Sequence, residues 1–444
     1  MNRSRPAEIS LQLLPFCLLC GTFLQGVGLM LFGIILPAIF LGHAKGTKLT
    51  TNLASLGKCL LAIFCVFPLA NLYNFYFALP DTLLNTKYLS WKYLLESQVS
   101  TSLALSALAL LALAKRRHKA TSQEAVFGRD LNLAFTKGMV IATSILSVYC
   151  LIQHFTGFDY REPGLKLPDA KLMESHGYRI LGFFGHPLSM AGASLAIFSI
   201  YWTLFCLDLQ KFFGKNRMRL LFTKPMIKAH FFLSMAHLML SLLSGGRAAF
   251  LIALGLLVLI PSITLRKRLF HFSGRKILYA LLPLSMTGAI VWTSGILSRY
   301  IDLLQSFQDK GADRFIFWQV HWQMFLDKPW FGHGASLLKA GERIAYYERL
   351  GFASLRDKYN AHNLYLEILS NVGLIGAIVI IVALTVFCRR LFTLSSKPLF
   401  QKLCIAFFVA LFANLANGFT QNTFFDSNVL YIHLGFFWLL LWLA

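Results

Sequence analysis

Long apolar runs broken by short polar intervals set the pattern of this chain. Leu11 to Leu41 and Ile277 to Ser298 contain no charged residue, and Asn414 to Ala444 contains only Asp426. About 20 consecutive apolar residues cross the roughly 30 Å core of a bilayer as a helix, so the pattern predicts an all-α, polytopic membrane helix bundle. Leu11 to Leu41 is too long for one upright span, and Gly21, Gly26 and Gly28 mark a turn that divides it in two. Further spans are predicted near 53–79, 98–114, 131–155, 184–207, 229–244, 247–265, 277–297, 361–388, 403–422 and 425–443. The total is about twelve transmembrane helices. Between two of them, Ser244-Gly245-Gly246-Arg247 leaves room only for a tight hairpin. The first segment lacks a small-residue cleavage site and is expected to stay as an anchor.

One polar interval, about 298–360, is too long for a simple connection, and loops of that length usually carry function. Its middle is crowded with Phe315, Phe317, Trp318, Trp322, Phe325, Trp330 and Phe331. Arg314, Trp318, Trp322 and Phe325 recur at spacings of four and three, which places them along one helix face. That helix can rest on a membrane surface. Ser336 to Lys358 alternates charges with Leu, Ile and Tyr and reads as a second amphipathic helix, ending near Asn360.

Composition supports the membrane reading, with 57% apolar and 14% charged residues against roughly 25% charged in an average soluble domain. The net charge of +23 would suit nucleic acid if it were gathered on one surface. It is not. Six clusters flanking the spans (Arg3/Arg5, Lys45/Lys48, Lys115–Arg129, Lys211–Lys228, Arg266–Lys276 and Arg389–Lys402) hold 24 basic and 4 acidic residues with their adjoining ends. The loops at about 80–97, 156–182 and 298–360 hold 15 basic and 13 acidic residues. Under the positive-inside rule the six clusters face the cytoplasm and the near-neutral loops face the other side, and twelve spans satisfy this without exception. No nucleic-acid partner is expected. The eight cysteines all lie in apolar segments; neither a disulfide framework nor a metal site is indicated, because Cys17/Cys20 and Cys59/Cys65 lack further ligands.

Candidate chemistry lies in four polar islands at span ends: Arg179 to Pro187, Ser241 to Arg247, Arg314 to Gly334 and Asn360 to Gly376. Any one arginine there reads most simply as an interfacial anchor. Together, Arg179, Arg247 and Arg314 would sit at one depth, with His362 at the start of the next span. Guanidinium groups match phosphate oxygens bidentately and keep their charge at working pH, so such a cluster suits a diphosphate. A neutral histidine beside it can take a proton from a hydroxyl. Read alone, His186 is a turn residue before Pro187 and His333 a flexible turn between two glycines. Glu367 follows His362 by five positions, too far round a helix to share its face, and reads as a polar contact inside the bundle or as a helper that orients another residue. Asp426 has no assigned role.

These residues carry a resemblance. Arg179-x-x-Gly182-x-Phe184-x-His186-Pro187, Leu243-Ser244-Gly245-Gly246-Arg247, Arg314-x-x-x-Trp318 with Pro329-x-x-Gly332-x-Gly334, and His362-Asn363-x-x-Leu366 with Gly373-x-x-Gly376 resemble, in order and spacing, the O-antigen ligase and Wzy-polymerase superfamily. The similarity covers about 200 residues of the C-terminal half. It implies a division into N-terminal transmembrane helices (1–155) and an O-antigen ligase-like catalytic region (156–444) with a large periplasmic loop at about 298–360. It also implies a multi-pass protein of the bacterial inner membrane with its active site facing the periplasm. The implied activity is glycan transfer from an undecaprenyl-diphosphate-linked donor to lipid A–core, with membrane lipids around it and no cofactor or metal. Carried over by position, Arg247 and Arg314 hold the diphosphate with Arg179 as a third candidate, His362 activates the acceptor hydroxyl, and Asn363, His186 and Glu367 are supporting candidates. Two positions depart from the family pattern: Gly-Arg-Ala stands where Ser-Arg-Gly is frequent, and His186 where Asn is frequent.

A diphosphate leaves readily once its charge is matched, so a single displacement with inversion fits this set. A retaining route would need a nearby carboxylate nucleophile. Three alternatives stay open at this stage. A Wzy-type polymerase would join lipid-linked repeat units, a protein O-oligosaccharyltransferase would use a protein acceptor, and a lipid or glycan transporter would place its ionisable residues near the midplane.

Overall fold

The computed structural model describes residues 4–19, 47–77, 106, 124–160, 178–212, 224–264, 311–334, 337–353, 361–422 and 426–443. The predicted spans at 98–114 and 277–297, the second half of 11–41 and the loop at 80–97 lie largely or wholly outside these residues. Among those described there are eleven helices and no strand ladder: α1 Ser4–Leu19, α2 Thr47–Phe77, α3 Glu124–Thr156, α4 Pro187–Phe212, α5 Pro225–Leu243, α6 Arg247–Thr264, α7 Gly311–Asp327, α8 Leu337–Arg349, α9 Leu364–Phe392, α10 Pro398–Asn417 and α11 Ser427–Leu443. Six helical segments are long and apolar enough to cross a membrane, within α3, α4, α5, α6, α9 and α10. The protein is a multi-pass helical membrane protein.

Helix α4 forms the axis of the bundle and packs against α5, α6, α10 and α11. Its sequence explains why. Ala191, Gly192, Ala193, Ser194 and Ala196 are small and buried, and small residues let helices in a membrane approach closely. A Cβ on Gly192 would lie 2.8 Å from a methyl of Val429 on α11. Polar pairs reinforce the packing. His237 of α5 bonds Thr143 of α3 at 3.1 Å and Ser194 of α4 at 3.4 Å, and Asp208 of α4 pairs with both Lys402 of α10 and His230 of α5.

Pro at the first turn opens α5 and α10, where its missing N–H costs no hydrogen bond. Hairpin residues 244–246 join α5 to α6, in keeping with the spacing of the two apolar runs. Gly245 sits at φ +70° and Gly246 lies against Ala191 so closely that a Cβ would meet it at 2.2 Å.

Helix α9 differs from its predicted span of 361–388. It starts at Leu364 and is interrupted at Gly373, whose φ of +64° and ψ of −169° lie in a region that favours glycine. The interruption is filled by the Pro329–Gly334 segment. His333 and Gly334 N–H donate to the carbonyls of Ser370 and Asn371, while Leu374 and Ile375 N–H donate to the carbonyls of Pro329 and Trp330. Groups freed by the helix break are thereby satisfied, which a buried backbone requires. Gly332 is needed for the same approach: a Cβ there would lie 2.5 Å from the Asn371 backbone, and one on Gly373 2.4 Å from that of Trp330.

The break also decides where the first turns of α9 lie. At 1.5 Å per residue, α9 with its 29 residues is about 43 Å long and α10 with 20 residues about 30 Å. The two are tied near both ends, through Leu364 N–H to Gly418 O at 2.7 Å and Gln401 Nε2 to Phe392 O at 3.0 Å. Leu374 to Phe392 alone accounts for about 28 Å and carries the exposed apolar residues Ile375, Ile378, Ile381 and Val382. The 364–372 part therefore cannot continue straight along α10 and changes direction at Gly373.

Helix α7 packs beside that bent part. Phe317, Val320, His321 and Met324 face inward and are buried, whereas Phe315, Trp322 and Leu326 are exposed. The predicted stripe of Arg314, Trp318, Trp322 and Phe325 is thus not the core-facing side. Helix α8 ends at Arg349, short of the predicted end near Asn360, because Gly351 (φ +81°) terminates it; residues 354–360 lie outside those described. The Asp327 carboxylate joins α7 to α8, accepting from Tyr346 Oη at 2.6 Å and Arg349 Nη2 at 2.9 Å. The Tyr346 hydroxyl bond, aided by Arg349, holds that carboxyl below the usual aspartate range.

Gly373→Ala is expected to lower stability by at least about 3 kcal/mol, from a left-handed non-glycine residue plus lost backbone bonds. Gly255→Ala, with nothing within 4 Å of the added methyl, should be neutral or slightly stabilising by helix propensity. Thermal unfolding of both variants in lipid nanodiscs checks the pair; equal midpoints would contradict the lock.

Candidate functional site

Three chain segments meet at the hairpin end of the bundle. The first runs from Tyr178 to the start of α4. Buried Gln153, in the last turn of α3, accepts Leu181 and Gly182 N–H on Oε1 at 3.1 and 2.8 Å and fixes this segment. Arg179 Nε donates to Ser244 O at 3.0 Å, and Ile180 N–H donates to Leu243 O. Arg179 thus buttresses the hairpin that presents Arg247 as the first residue of α6.

The second segment is α7. Arg314 keeps contact with solvent, yet enclosure by its neighbours, and after it the like charge of Arg247, push its guanidinium below the ordinary arginine value. Two arginines more than 60 positions apart in sequence are therefore held within electrostatic reach. One turn along α7, Phe317 places its ring 6.0 Å from the His362 ring and 6.3 Å from that of Tyr347 on α8.

The third segment is 361–363. His362 is half-buried and, among the described residues, the one non-glycine residue with positive φ, at +47°. Asn363 caps α9, its Oδ1 accepting Tyr365 and Leu366 N–H at 3.0 and 3.1 Å and its Nδ2 donating to Phe419 O at 3.2 Å. Because α9 begins after His362, helix-face arithmetic does not apply to Glu367, contrary to the sequence reading. Its carboxylate reaches back over the first turn and accepts Ala361 N–H at 3.0 Å.

Helix α7 thus sets Arg314 within reach of the charge of Arg247 and, three positions on, Phe317 beside His362, with Arg179 bonded to the hairpin. His186 has a structural task at the start of α4. Its Nδ1 accepts Leu188 N–H at 3.1 Å and it caps α4 while facing Asp426, which caps α11 through Asn428 N–H. His333 is no flexible turn: it is buried, and its Nε2 bonds Met324 O at 2.7 Å at the end of α7.

Several neighbours escaped the sequence reading. His321 is buried with Nδ1 2.9 Å from Ser370 Oγ and 3.8 Å from Glu367 Oε2. Arg343 and Tyr347 of α8 are buried beside it; burial pushes the Tyr347 hydroxyl up to about 12, with Arg343 opposing and Glu367 adding to the shift. The only local signal was the amphipathic pattern of α7 and α8, which says that a face is covered but not by what. Among the described residues no three His, Cys, Asp or Glu side chains come together as a metal site.

The stretch holding Arg247, Arg314, His362 and Glu367 matches a family model, Wzy_C, described as O-antigen ligase, over residues 231–381. Residues 231–381, about a third of the chain, are thus similar to the O-antigen ligase family. The family region begins within α5 and ends within α9, so it takes in the hairpin, the helical loop and the broken helix. Arg179 and His186 fall outside it. No curated protein matches the chain.

Proposed function

We propose that this protein is an O-antigen ligase-type glycosyltransferase of the bacterial inner membrane that works at the periplasmic face. The donor is a glycan on undecaprenyl diphosphate and the acceptor a hydroxyl of lipid A–core. The observation that carries this reading is the pair Arg247 and Arg314, brought within reach of each other's charge in the family region. Holding like charges together is unfavourable unless an anion is to be bound between them, and a diphosphate matches two guanidinium forks.

In the reaction, the arginine pair binds the donor diphosphate and stabilises the charge that grows on it as the glycosidic C–O bond breaks. The acceptor oxygen attacks the anomeric carbon from the opposite face, inverting it. His362 accepts the hydroxyl proton as the new bond forms. Arg179 supports the hairpin, and Asn363 fixes the turn that carries His362.

Incubating the purified protein in nanodiscs with the lipid-linked glycan and lipid A–core should yield glycosylated lipid A–core and free undecaprenyl diphosphate. A polymerase, the second reading within the same family, would instead lengthen the glycan on its carrier without any core product.

A further inference from the structure

We propose that Glu367 is a positioning residue whose carboxylate clamps the 361–363 turn and so holds His362 in its left-handed conformation. The inference rests on the reading of His362 as the base and extends it to the group that sets the base's geometry.

A histidine at φ +47° is strained and persists only where its surroundings over-determine it. The surroundings here are specific. On the C-terminal side, Asn363 fixes the chain by capping α9 and by bonding Phe419 O. On the N-terminal side the fixing group is Glu367 Oε2, which accepts Ala361 N–H at 3.0 Å. His362 is thus held between two anchored residues, with the Phe317 ring packed beside its own.

The carboxylate is itself held from three elements. Asn422, beyond α10, directs Nδ2 to Oε2 at 3.4 Å, Asn371 of α9 directs Nδ2 to Oε1 at 3.5 Å, and His321 of α7 stands 3.8 Å from Oε2. Glu367 also sits in the first turn of α9, where the helix dipole favours a negative charge. A carboxylate with this many donors is suited to accept hydrogen bonds in a fixed place rather than to carry protons away. The arrangement couples α7 to the catalytic turn, since the same His321 bonds Ser370, whose carbonyl receives His333 from the loop lock.

The test compares Glu367→Ala and Glu367→Gln in the full-length protein in nanodiscs, reading kcat, donor KM and amide hydrogen exchange at Ala361. Alanine removes the acceptor, so Ala361 protection should be lost and kcat should fall about tenfold or more, with donor KM within twofold because both arginines remain. Glutamine keeps an oxygen for Ala361 N–H, and an amide flip of Asn371 can meet the new NH2. It should therefore retain protection and at least about a third of kcat, with the pH profile of kcat unmoved. Equal losses of kcat in both variants with protection kept in Glu367→Gln would show that charge, not position, matters and would overturn the proposal. So would an alanine variant with wild-type protection and kcat. Lost protection with unchanged kcat would instead remove His362 from the role of base while leaving the clamp in place.

Discussion

Arg247→Ala and Arg314→Ala should each reduce glycan transfer by about 10²–10³-fold, the usual cost of removing one charge-matched donor from a developing oxyanion. Stability should move the other way. Burial, and after it the like charge of Arg247, disfavour the charged form of Arg314 in the unliganded protein, so Arg314→Ala should leave the unfolding midpoint unchanged or raise it. That opposition between activity and stability is expected where a site is built for a ligand rather than for the fold. Arg247→Lys and Arg314→Lys should recover only part of the loss, since an ammonium keeps the charge without the bidentate fork. Arg179→Ala should act differently, because its Nε is engaged with Ser244 O; a destabilised hairpin and a rise in donor KM are expected rather than loss of kcat. The measurement is product formation from lipid-linked donor beside thermal unfolding of the same samples. Near wild-type transfer by the Arg247 or Arg314 alanine variant would remove the diphosphate assignment.

His362→Asn is expected to lower kcat by about 10²–10⁴-fold, the range associated with losing a positioned general base. Asparagine is the informative choice, because it tolerates the left-handed conformation that His362 adopts and so removes the imidazole without releasing the strain of the turn. Alanine would change both at once. Donor KM should stay within about twofold, since the arginines are untouched, and the limb of the pH–rate profile that reports the base should disappear. Retention of that limb in His362→Asn would place the base elsewhere.

How much of this was legible beforehand differs from residue to residue. Arg247 was legible because Ser244-Gly245-Gly246 can only be a hairpin between two apolar runs, which puts the arginine at a membrane boundary wherever the rest of the chain goes. His362 and Asn363 were legible as a span entrance, but the start of α9 was read three residues early, and that shift mis-assigned Glu367. A helix-face rule holds only inside a helix, and whether residue 361 or 364 begins it depends on the capping bonds of Asn363 and Gly418, the second of which comes from another helix. His333 read as loose for a related reason: glycines on both sides signal freedom locally, while its partners Met324 and Ser370 lie elsewhere.

By itself, the order of apolar runs and glycines determined that the chain is an all-helical, many-spanning membrane protein with a structured loop, and which polar residues sit at span ends. Those are properties of short windows, governed by the cost of putting polar groups and unpaired backbone into lipid. Only the tertiary structure decided that α9 is broken at Gly373, that Pro329–Gly334 fills the break, and that α7 sets Arg314 within reach of the charge of Arg247 and Phe317 beside His362. Each of these depends on backbone groups finding partners far away in sequence, and no local pattern encodes which of several compatible partners will satisfy them.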